Sequence, residues 1–289
     1  MLGHIVDENL SMFIADYASQ GYRLALVTSG GTRVPIERNT VRFIDNVSTG
    51  YRGASLAQFF AESGQYAVIF LSRTGSCQPW TCQLPFLDQC NLLDKLSESQ
   101  QSSLSLLESE RPIFQKTIQN YNRFKKRLIR VSFTTVDEYL HMLELICTSL
   151  RFYGAKACIV AAAAVSDYVV DPDTMAEHKI QSSSQPLTLV LKPCRKVLSC
   201  VKQTWAPSSC LISFKLETDA NLLGPKAKAA LTKCKSDVVV GNLLDSYRRR
   251  VHIFTPTANE VVECDEVEKY LTQRLILLHE DFIKRSTPV

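Results

Sequence analysis

The run Leu24-Ala25-Leu26-Val27, followed at once by Thr28-Ser29-Gly30-Gly31-Thr32, most constrains what this chain can fold into. Consecutive apolar residues without polar alternation predict a strand buried on both faces, as in a parallel sheet covered by helices. The two glycines that end it let backbone amides approach a ligand closely, which is what an anion requires. A second polar turn, Asp45-Asn46-Val47-Ser48-Thr49-Gly50, opens a helix beginning near Tyr51. Ser48 or Thr49 is expected to cap that helix, leaving free N–H groups and the positive end of the helix dipole facing the turn. Such an end is an anion site. Neither Gly-x-Gly-x-x-Gly nor Gly-x-x-x-x-Gly-Lys-[Ser/Thr] occurs, which argues against an ordinary dinucleotide fold or a P-loop.

Strand and helix signals alternate along most of the chain. After a helix at residues 8–19 come a strand at 24–28, a helix at 52–63 with Ala54, Leu56, Ala57, Phe60 and Ala61 available inward, and a strand at 67–71, making a βαβ unit. The alternation breaks down over about 76–127, which is rich in Ser, Gln and Glu and reads as a partly mobile insertion, helical near 113–126. It resumes with a strand at 127–133 and a helix opened by Thr135 and Glu138, a capping-box pair. Further strands are expected at 157–162, 187–191, 211–214 and 238–240, then an antiparallel pair at 251–254 and 261–263 and a helix at 267–279. The expected fold is α/β: one domain over residues 1–289, a Rossmann-like three-layer sandwich with a mostly parallel doubly wound sheet, a small antiparallel addition and the insertion.

Composition removes several function classes. With 33 basic and 29 acidic residues the net charge is +4, too weak and too evenly spread for a nucleic-acid or membrane-surface partner. No apolar run approaches the roughly 20 residues of a membrane span, and Asp7 and Glu8 replace the basic start of a signal peptide, so a cytoplasmic protein is expected. Ten cysteines raise the question of a disulfide or metal scaffold. Cys77, Cys82 and Cys90 cluster only loosely, the others are scattered through apolar surroundings, and no Cys-x-x-Cys occurs; reduced thiols and no protein metal site are expected.

In open parallel sheets, ligands sit beyond the carboxyl ends of the strands. Four such loops are polar: 29–32, 46–53, 163–167 and the position of Asn242. An asparagine past a strand is by itself more often a turn cap than a site residue; the convergence of four loops is what points to a site. Small residues at 161–164 let a flat or phosphorylated ligand lie against main chain, with Asp167 placed to accept from a sugar hydroxyl or bind magnesium. Lys179 offers a cation for a triphosphate, and Phe214 can stack on a base or close the core. No Gly-x-Ser-x-Gly elbow or metalloprotease motif is present, so chemistry by positioning and electrostatics is expected.

These strings resemble phosphopantothenoylcysteine synthetase, the phosphopantothenate–cysteine ligase family of coenzyme A biosynthesis, in its eukaryotic stand-alone form without a flavin-dependent decarboxylase domain in front. The matching runs are 28–32, 41–53, 162–168, 178–181, 212–218 and 238–243, in order over most of the chain. The resemblance implies a ligase that joins 4′-phosphopantothenate to L-cysteine through an acyl-adenylate, with ATP rather than CTP as co-substrate, Mg2+, and a homodimer. By motif it implies that Asn46 stabilises the oxyanion and Lys179 neutralises the α-phosphate. Gly30, Ser48, Gly50 and Gly53 line the triphosphate, Phe214 and Asn242 meet base and ribose, Asp167 fixes sugar or metal, and Lys228 is a further nucleotide candidate. Ala163 and Ala164 lie against the substrates, and Arg42 reaches the phosphopantothenate phosphate, across the dimer interface if the dimer forms. The chain departs from the family at Thr49, at Gly241 and over 192–196, where a different backbone path is expected. Two other readings compete: an NAD(P)-dependent oxidoreductase, disfavoured by the missing glycine fingerprint, and a non-catalytic relative, disfavoured by the presence of Asn46 and Lys179.

Overall fold

The computed structural model describes residues 2–84, 95–98 and 104–286. Helix α1 (Leu2–Ser19) leads into β1 (Arg23–Ser29), whose residues from Leu24 onward are all buried. A hairpin of β2 (Arg33–Pro35) and β3 (Phe43–Asp45) follows, then α2 (Tyr51–Glu62) and β4 (Tyr66–Arg73). Strands β5 (Leu96–Glu98) and β6 (Leu104–Leu106) pair antiparallel, and α3 (Arg111–Phe124) and β7 (Leu128–Phe133) come next. After α4 (Val136–Leu150), β8 (Ala157–Ala161) runs toward a second small hairpin of β9 (Tyr168–Val170) and β10 (Leu191–Pro193). A short helix α5 (Leu198–Cys200), β11 (Cys210–Glu217), α6 (Ala220–Lys233), β12 (Val238–Leu243), β13 (Arg250–Phe254), β14 (Asn259–Glu263) and α7 (Val267–Ser286) complete the order.

Eight strands form the main sheet in the order β14-β13-β12-β11-β8-β1-β4-β7. All neighbours from β12 to β7 are parallel, and β13 and β14 add antiparallel. The expected α/β class and the antiparallel addition are therefore both present. From β1 the chain goes outward through β4 to β7, then returns to the other side of β1 as β8. The switch point of the sheet lies between β1 and β8, the place where doubly wound sheets carry their ligand crevice.

Each face of the sheet has its own core. Alternate residues of β1 and β4, Ala25, Val27, Val68 and Phe70, pack with Leu56 and Phe60 of α2 and Leu271 and Leu275 of α7. The other residues, Leu24, Leu26, Ile69 and Leu71, pack with Leu10 and Ile14 of α1 and Leu143 and Ile146 of α4. Burying one such side chain fully contributes about 1.5–3 kcal/mol, so this two-sided packing is what makes a near-continuous apolar strand favourable. The Thr135–Glu138 capping box forms as expected, with Glu138 N donating to Thr135 Oγ1 at 3.2 Å. At the floor of the sheet His279 is fully buried; Tyr66 Oη lies 2.8 Å from Nδ1 and Ala155 O lies 2.8 Å from Nε2. A carbonyl only accepts, so Nε2 carries the proton and Nδ1 accepts from Tyr66. Burial lowers the His279 pKa to about 4.

Two local expectations are corrected and one is met. The strand expected at 187–191 is instead Leu191–Pro193 in a hairpin outside the main sheet, and Leu187, Val190 and Leu191 are exposed, so their apolar character does not mark a core strand. The helix expected near 113–126 is present, as Arg111–Phe124 with Pro at its start and a 3-10 turn over Lys125–Arg127. Ser48 and Thr49 do not cap α2 in the usual manner: the N-cap is Gly50, in the left-handed region at φ 79°. The hydroxyls of Ser48 and Thr49 instead accept from Gly50 N and Tyr51 N, each at 3.3 Å. Cys90 and part of 97–105 lie outside the described residues. The described cysteines are all free thiols, with Cys147, Cys158, Cys194 and Cys210 buried, and no described helix is long and apolar enough to cross a membrane.

Candidate active site

The crevice at the switch point is built from main chain. Ala164 N donates to Gly30 O at 2.8 Å, Thr32 N donates to Ala164 O at 3.0 Å, and Ala163 N and Ser166 N are held by the hydroxyls of Thr28 and Thr32. The turns after β1 and β8 are thus zipped together, with Ala163 and Ala164 in the zip. Asn46 joins the same seam: its backbone N reaches Thr32 O at 3.4 Å and its Nδ2 donates to Ala164 O at 3.3 Å. A Cβ on Gly31 would lie 2.1 Å from Asn46 O, so glycine there is a packing requirement.

Helix α2 starts against this seam. Ser29 Oγ donates to Gly50 O at 2.9 Å, and a Cβ on Gly53 would fall 2.5 Å from Ser29 Oγ. Side-chain-free backbone at both positions lets the helix N-terminus sit directly on the end of β1, with its unpaired amides and dipole facing the crevice. The segment after β4 closes the third side. Cβ atoms on Gly30 and Gly50 would lie 3.2 and 3.1 Å from Ser76, and Cys77 N donates to Thr49 O at 2.9 Å.

On the β12 side, Arg52 is the fastener. Its guanidinium donates to Asn242 Oδ1 and to Tyr247 O, and pairs with Glu268 at the start of α7, 3.3 Å away. Both charged side chains are nearly buried, at 13% and 10% exposure, so this is a desolvated pair rather than a surface one. Burial pushes the Arg52 pKa down, and the Glu268 charge opposes that shift. Asn242 Nδ2 also reaches Lys215 O at 3.4 Å, which fixes the orientation of its amide. Phe214, half-buried against the core of the α2 face, pairs in register with Val240 and lies on the same carboxyl edge.

Arg42 and Lys179 belong to an outer strap. Glu37 is fully buried and accepts from Arg42 Nη1 at 2.6 Å, while Arg42 Nη2 donates to Ile180 O at 3.1 Å. Burial alone would raise the Glu37 pKa, but hydrogen bonds from the Arg42, Val41 and Ile180 amides, with the Arg42 charge beside them, hold it below the ordinary carboxylate value. Lys179 is exposed, next to Ile180, and among the described residues no partner holds its ammonium. Asp167, also exposed, forms an ion pair with Lys196, and its carbonyl accepts from Cys194 N at 2.8 Å, so the departing 192–196 stretch folds back onto the loop after β8.

Gly30, Asn46, Ala163, Ala164, Gly50 and Gly53 are therefore brought together, with Ser48 beside them; Asn242 is tied to the group through Arg52. Arg42 bonds Glu37 and the carbonyl of Ile180, the neighbour of Lys179 in sequence, and neither side chain has a described bond to the seam. Lys228 is exposed within α6 and makes no described side-chain contact with the other candidates. Sequence reading missed Arg52, Arg73, Ser76, Glu37 and Glu268 as parts of the site. Among the described residues no three His, Cys, Asp or Glu side chains group to hold a metal.

A doubly wound α/β sheet whose switch point carries two glycine turns, a helix N-terminus and a main-chain seam defines a class of protein that receives an anionic ligand across its carboxyl edge. The family model of the DNA/pantothenate metabolism flavoprotein C-terminal domain matches residues 20–84 and 123–275. The chain belongs to the phosphopantothenate–cysteine ligase family. Phosphopantothenate–cysteine ligase 1 of Oryza sativa subsp. japonica is 41% identical over 267 residues, spanning 90% of this chain and 82% of the relative. The Homo sapiens phosphopantothenate–cysteine ligase is 37% identical over 96% of this chain and 92% of its own length. A solved Cab2 mutant in complex with phosphopantothenate-cysteine superposes with a TM-score of 0.90 at 31% identity, covering 98% of this chain and 95% of that one.

Proposed function

We propose that this chain joins 4′-phosphopantothenate to L-cysteine, consuming ATP and passing through an acyl-adenylate. The single observation that carries the chemistry is the seam in which Asn46, Gly30 and Ala164 meet at the N-terminus of α2, because it sets amide donors and a helix dipole around one point. The names of the relatives and the product bound in the Cab2 structure support the substrates.

In this reading the backbone of Gly30, Gly50 and Gly53 and the hydroxyl of Ser48 receive the triphosphate, and Phe214 and Asn242 receive base and ribose. The exposed Lys179 neutralises the α-phosphate, and Arg42 binds the phosphate of phosphopantothenate. Lys228 is a peripheral nucleotide contact. Asn46 Nδ2 donates to the oxyanion that forms as the cysteine amine attacks the acyl carbon; the amine loses a proton and AMP departs. Magnesium supplies charge neutralisation on the phosphates. The residues fit it only as a companion of the nucleotide, with Asp167 the carboxylate available to it, since no acidic cluster is built among the described residues. The chain works as a homodimer in the cytoplasm, where its ten thiols stay reduced.

The test incubates the protein with magnesium, 4′-phosphopantothenate and cysteine, offers ATP or CTP in parallel, and follows pyrophosphate with each component omitted in turn. ATP- and phosphopantothenate-dependent pyrophosphate, with amide product once cysteine is added, is expected. Equal or better turnover with CTP overturns the nucleotide assignment. Asn46→Asp should still form the acyl-adenylate but stall before the amide, because a carboxylate repels the oxyanion; wild-type turnover would remove Asn46 from its role. Light scattering that gives a monomer at working concentration would refute the dimer.

A further inference from the structure

An open cavity of about 420 Å3 lies at the carboxyl ends of β4 and β7, on the opposite side of β1 from Asn242. Its walls include Ser72, Arg73, Ser76, Gln78, Arg130 and Ser132, and none of its lining residues is acidic. Two guanidinium groups with hydroxyl and amide donors make it a cavity for a small, highly charged anion. Arg73 is fixed by Asp45, whose two carboxylate oxygens take Nη1 at 2.6 and 2.8 Å. That leaves Nε, which is buried and is, among the described residues, the one buried side-chain nitrogen or oxygen without a hydrogen-bond partner. A buried donor held without an acceptor is costly; Nε is closed to solvent, so it reaches an anion in the cavity only when the Arg73 side chain rotates, and the unpaired donor favours that rotation.

The cavity is continuous with the glycine turns through Ser76, which packs against both Gly30 and Gly50. Along the sheet edge the order is Asn242 on β12, Phe214 on β11, the seam of β8 and β1, then Arg73 on β4, each step about 4.8 Å. A nucleotide with its base at Phe214 and its α-phosphate at the seam therefore points its terminal phosphates toward Ser76 and Arg73.

We propose that this cavity extends the glycine-lined triphosphate site, receives the terminal phosphates beyond it, and holds inorganic pyrophosphate after nucleotidyl transfer. The proposal rests on the reading that the acid is activated as an acyl-nucleotide. In that step a carboxylate oxygen bonds to the α-phosphorus, the bond from the α-phosphorus to the bridging oxygen breaks, and the electron pair leaves on that oxygen as pyrophosphate. Arg73 and Arg130 stabilise the charge that arrives there, which favours departure of the leaving group.

Calorimetric titration of the intact protein with sodium pyrophosphate in magnesium chloride tests the site without requiring turnover. Wild type is expected to bind, Arg73→Met to bind about tenfold more weakly, and Arg130→Gln about threefold more weakly, its side chain being exposed. Arg73→Met also releases Asp45, so Arg130→Gln, at an exposed position, keeps the proposal open to refutation if the first variant is unstable. The inhibition constant of pyrophosphate against ATP should rise by the same factors. Binding within about twofold of wild type in both variants, or equal displacement by sulfate, overturns the site. Normal ligase turnover with unchanged pyrophosphate inhibition also overturns it and leaves the ligase reading intact. Arginine-dependent pyrophosphate binding in a protein without ligase turnover supports the site and overturns the ligase reading instead.

Discussion

The inner seam and the outer strap differ in how their geometry is set. At the seam, backbone groups of 28–32, 46 and 163–166 bond one another directly, and Arg52 locks Asn242 and α7 to the same frame from a nearly buried position. In the strap, Arg42 and Lys179 are carried by short, half-exposed strands and loops, and one buried carboxylate, Glu37, gathers Arg42 and the Ile180 amide. The seam is held in one geometry by these bonds. The strap is held by a separate set of bonds, among them Arg38 N to Ala176 O and Asn39 N to Glu177 O, each at 2.9 Å.

Breaking the inner frame should have the largest effect. Arg52→Met leaves Glu268 nearly buried without its cation and should cost about 4 kcal/mol, read as a drop in melting temperature and a weaker apparent affinity for ATP. A loss below about 1 kcal/mol would mean that the pair is not structural. The next effect contrasts the site with the floor of the sheet. His279 has a folded pKa near 4 against an ordinary 6.5, so the unfolded chain takes up its proton first as the pH falls. This contribution is whole above pH 6.5 and is lost as the pH falls toward 4; about 3 kcal/mol is at stake. Chemical denaturation at several pH values should give a steeper acid slope for wild type than for His279→Gln, and identical slopes would refute the assignment.

The same division governs what could be read from the amino-acid sequence. The seam was legible because its signals are local: an apolar run, two glycines, a polar turn before a helix, and the Thr135–Glu138 box three residues apart. The central strands β1, β4, β8, β11 and β12 were legible for the same reason, since each contains a short buried run. Arg52 was not, because its partners Asn242 and Glu268 lie 190 and 216 positions away and no local pattern announces a buried pair. Strand 187–191 was misread because its apolar residues face solvent, and strands β2, β3 and β9, three residues each, are too short for periodicity to mark. Glu37 carries no local signal either: it stands among Pro35, Ile36 and Arg38, and only the fold buries it.

Gly31→Ala sharpens the contrast from within the seam. The new methyl would meet Asn46 O at 2.1 Å, so the turn must shift, at a cost of about 2 kcal/mol. Because Asn46 is displaced directly, turnover should fall by more than the stability loss explains, by about a hundredfold at a temperature where the fold is intact. Turnover within about twofold of wild type would show that Asn46 is not held by this contact.

The smallest effect on stability is expected from Glu37→Gln, and it bears most directly on the strap. The carboxylate is held below its ordinary pKa, so its contribution is present above the carboxylate range and lost only as the pH falls beneath it. Neutralising it by mutation should therefore reproduce at neutral pH what acid does to wild type. Arg42 and the Ile180 amide lose their anchor, while the sheet, whose cores do not include Glu37, keeps its melting temperature. Hydrogen exchange should quicken at 37–42 and 177–180 but not at 28–32 or 163–166. The KM for phosphopantothenate should rise, with little change for ATP, if Arg42 serves the substrate phosphate. If exchange instead quickened equally in both regions, strap and seam would form one cooperative unit, and their separation would fail.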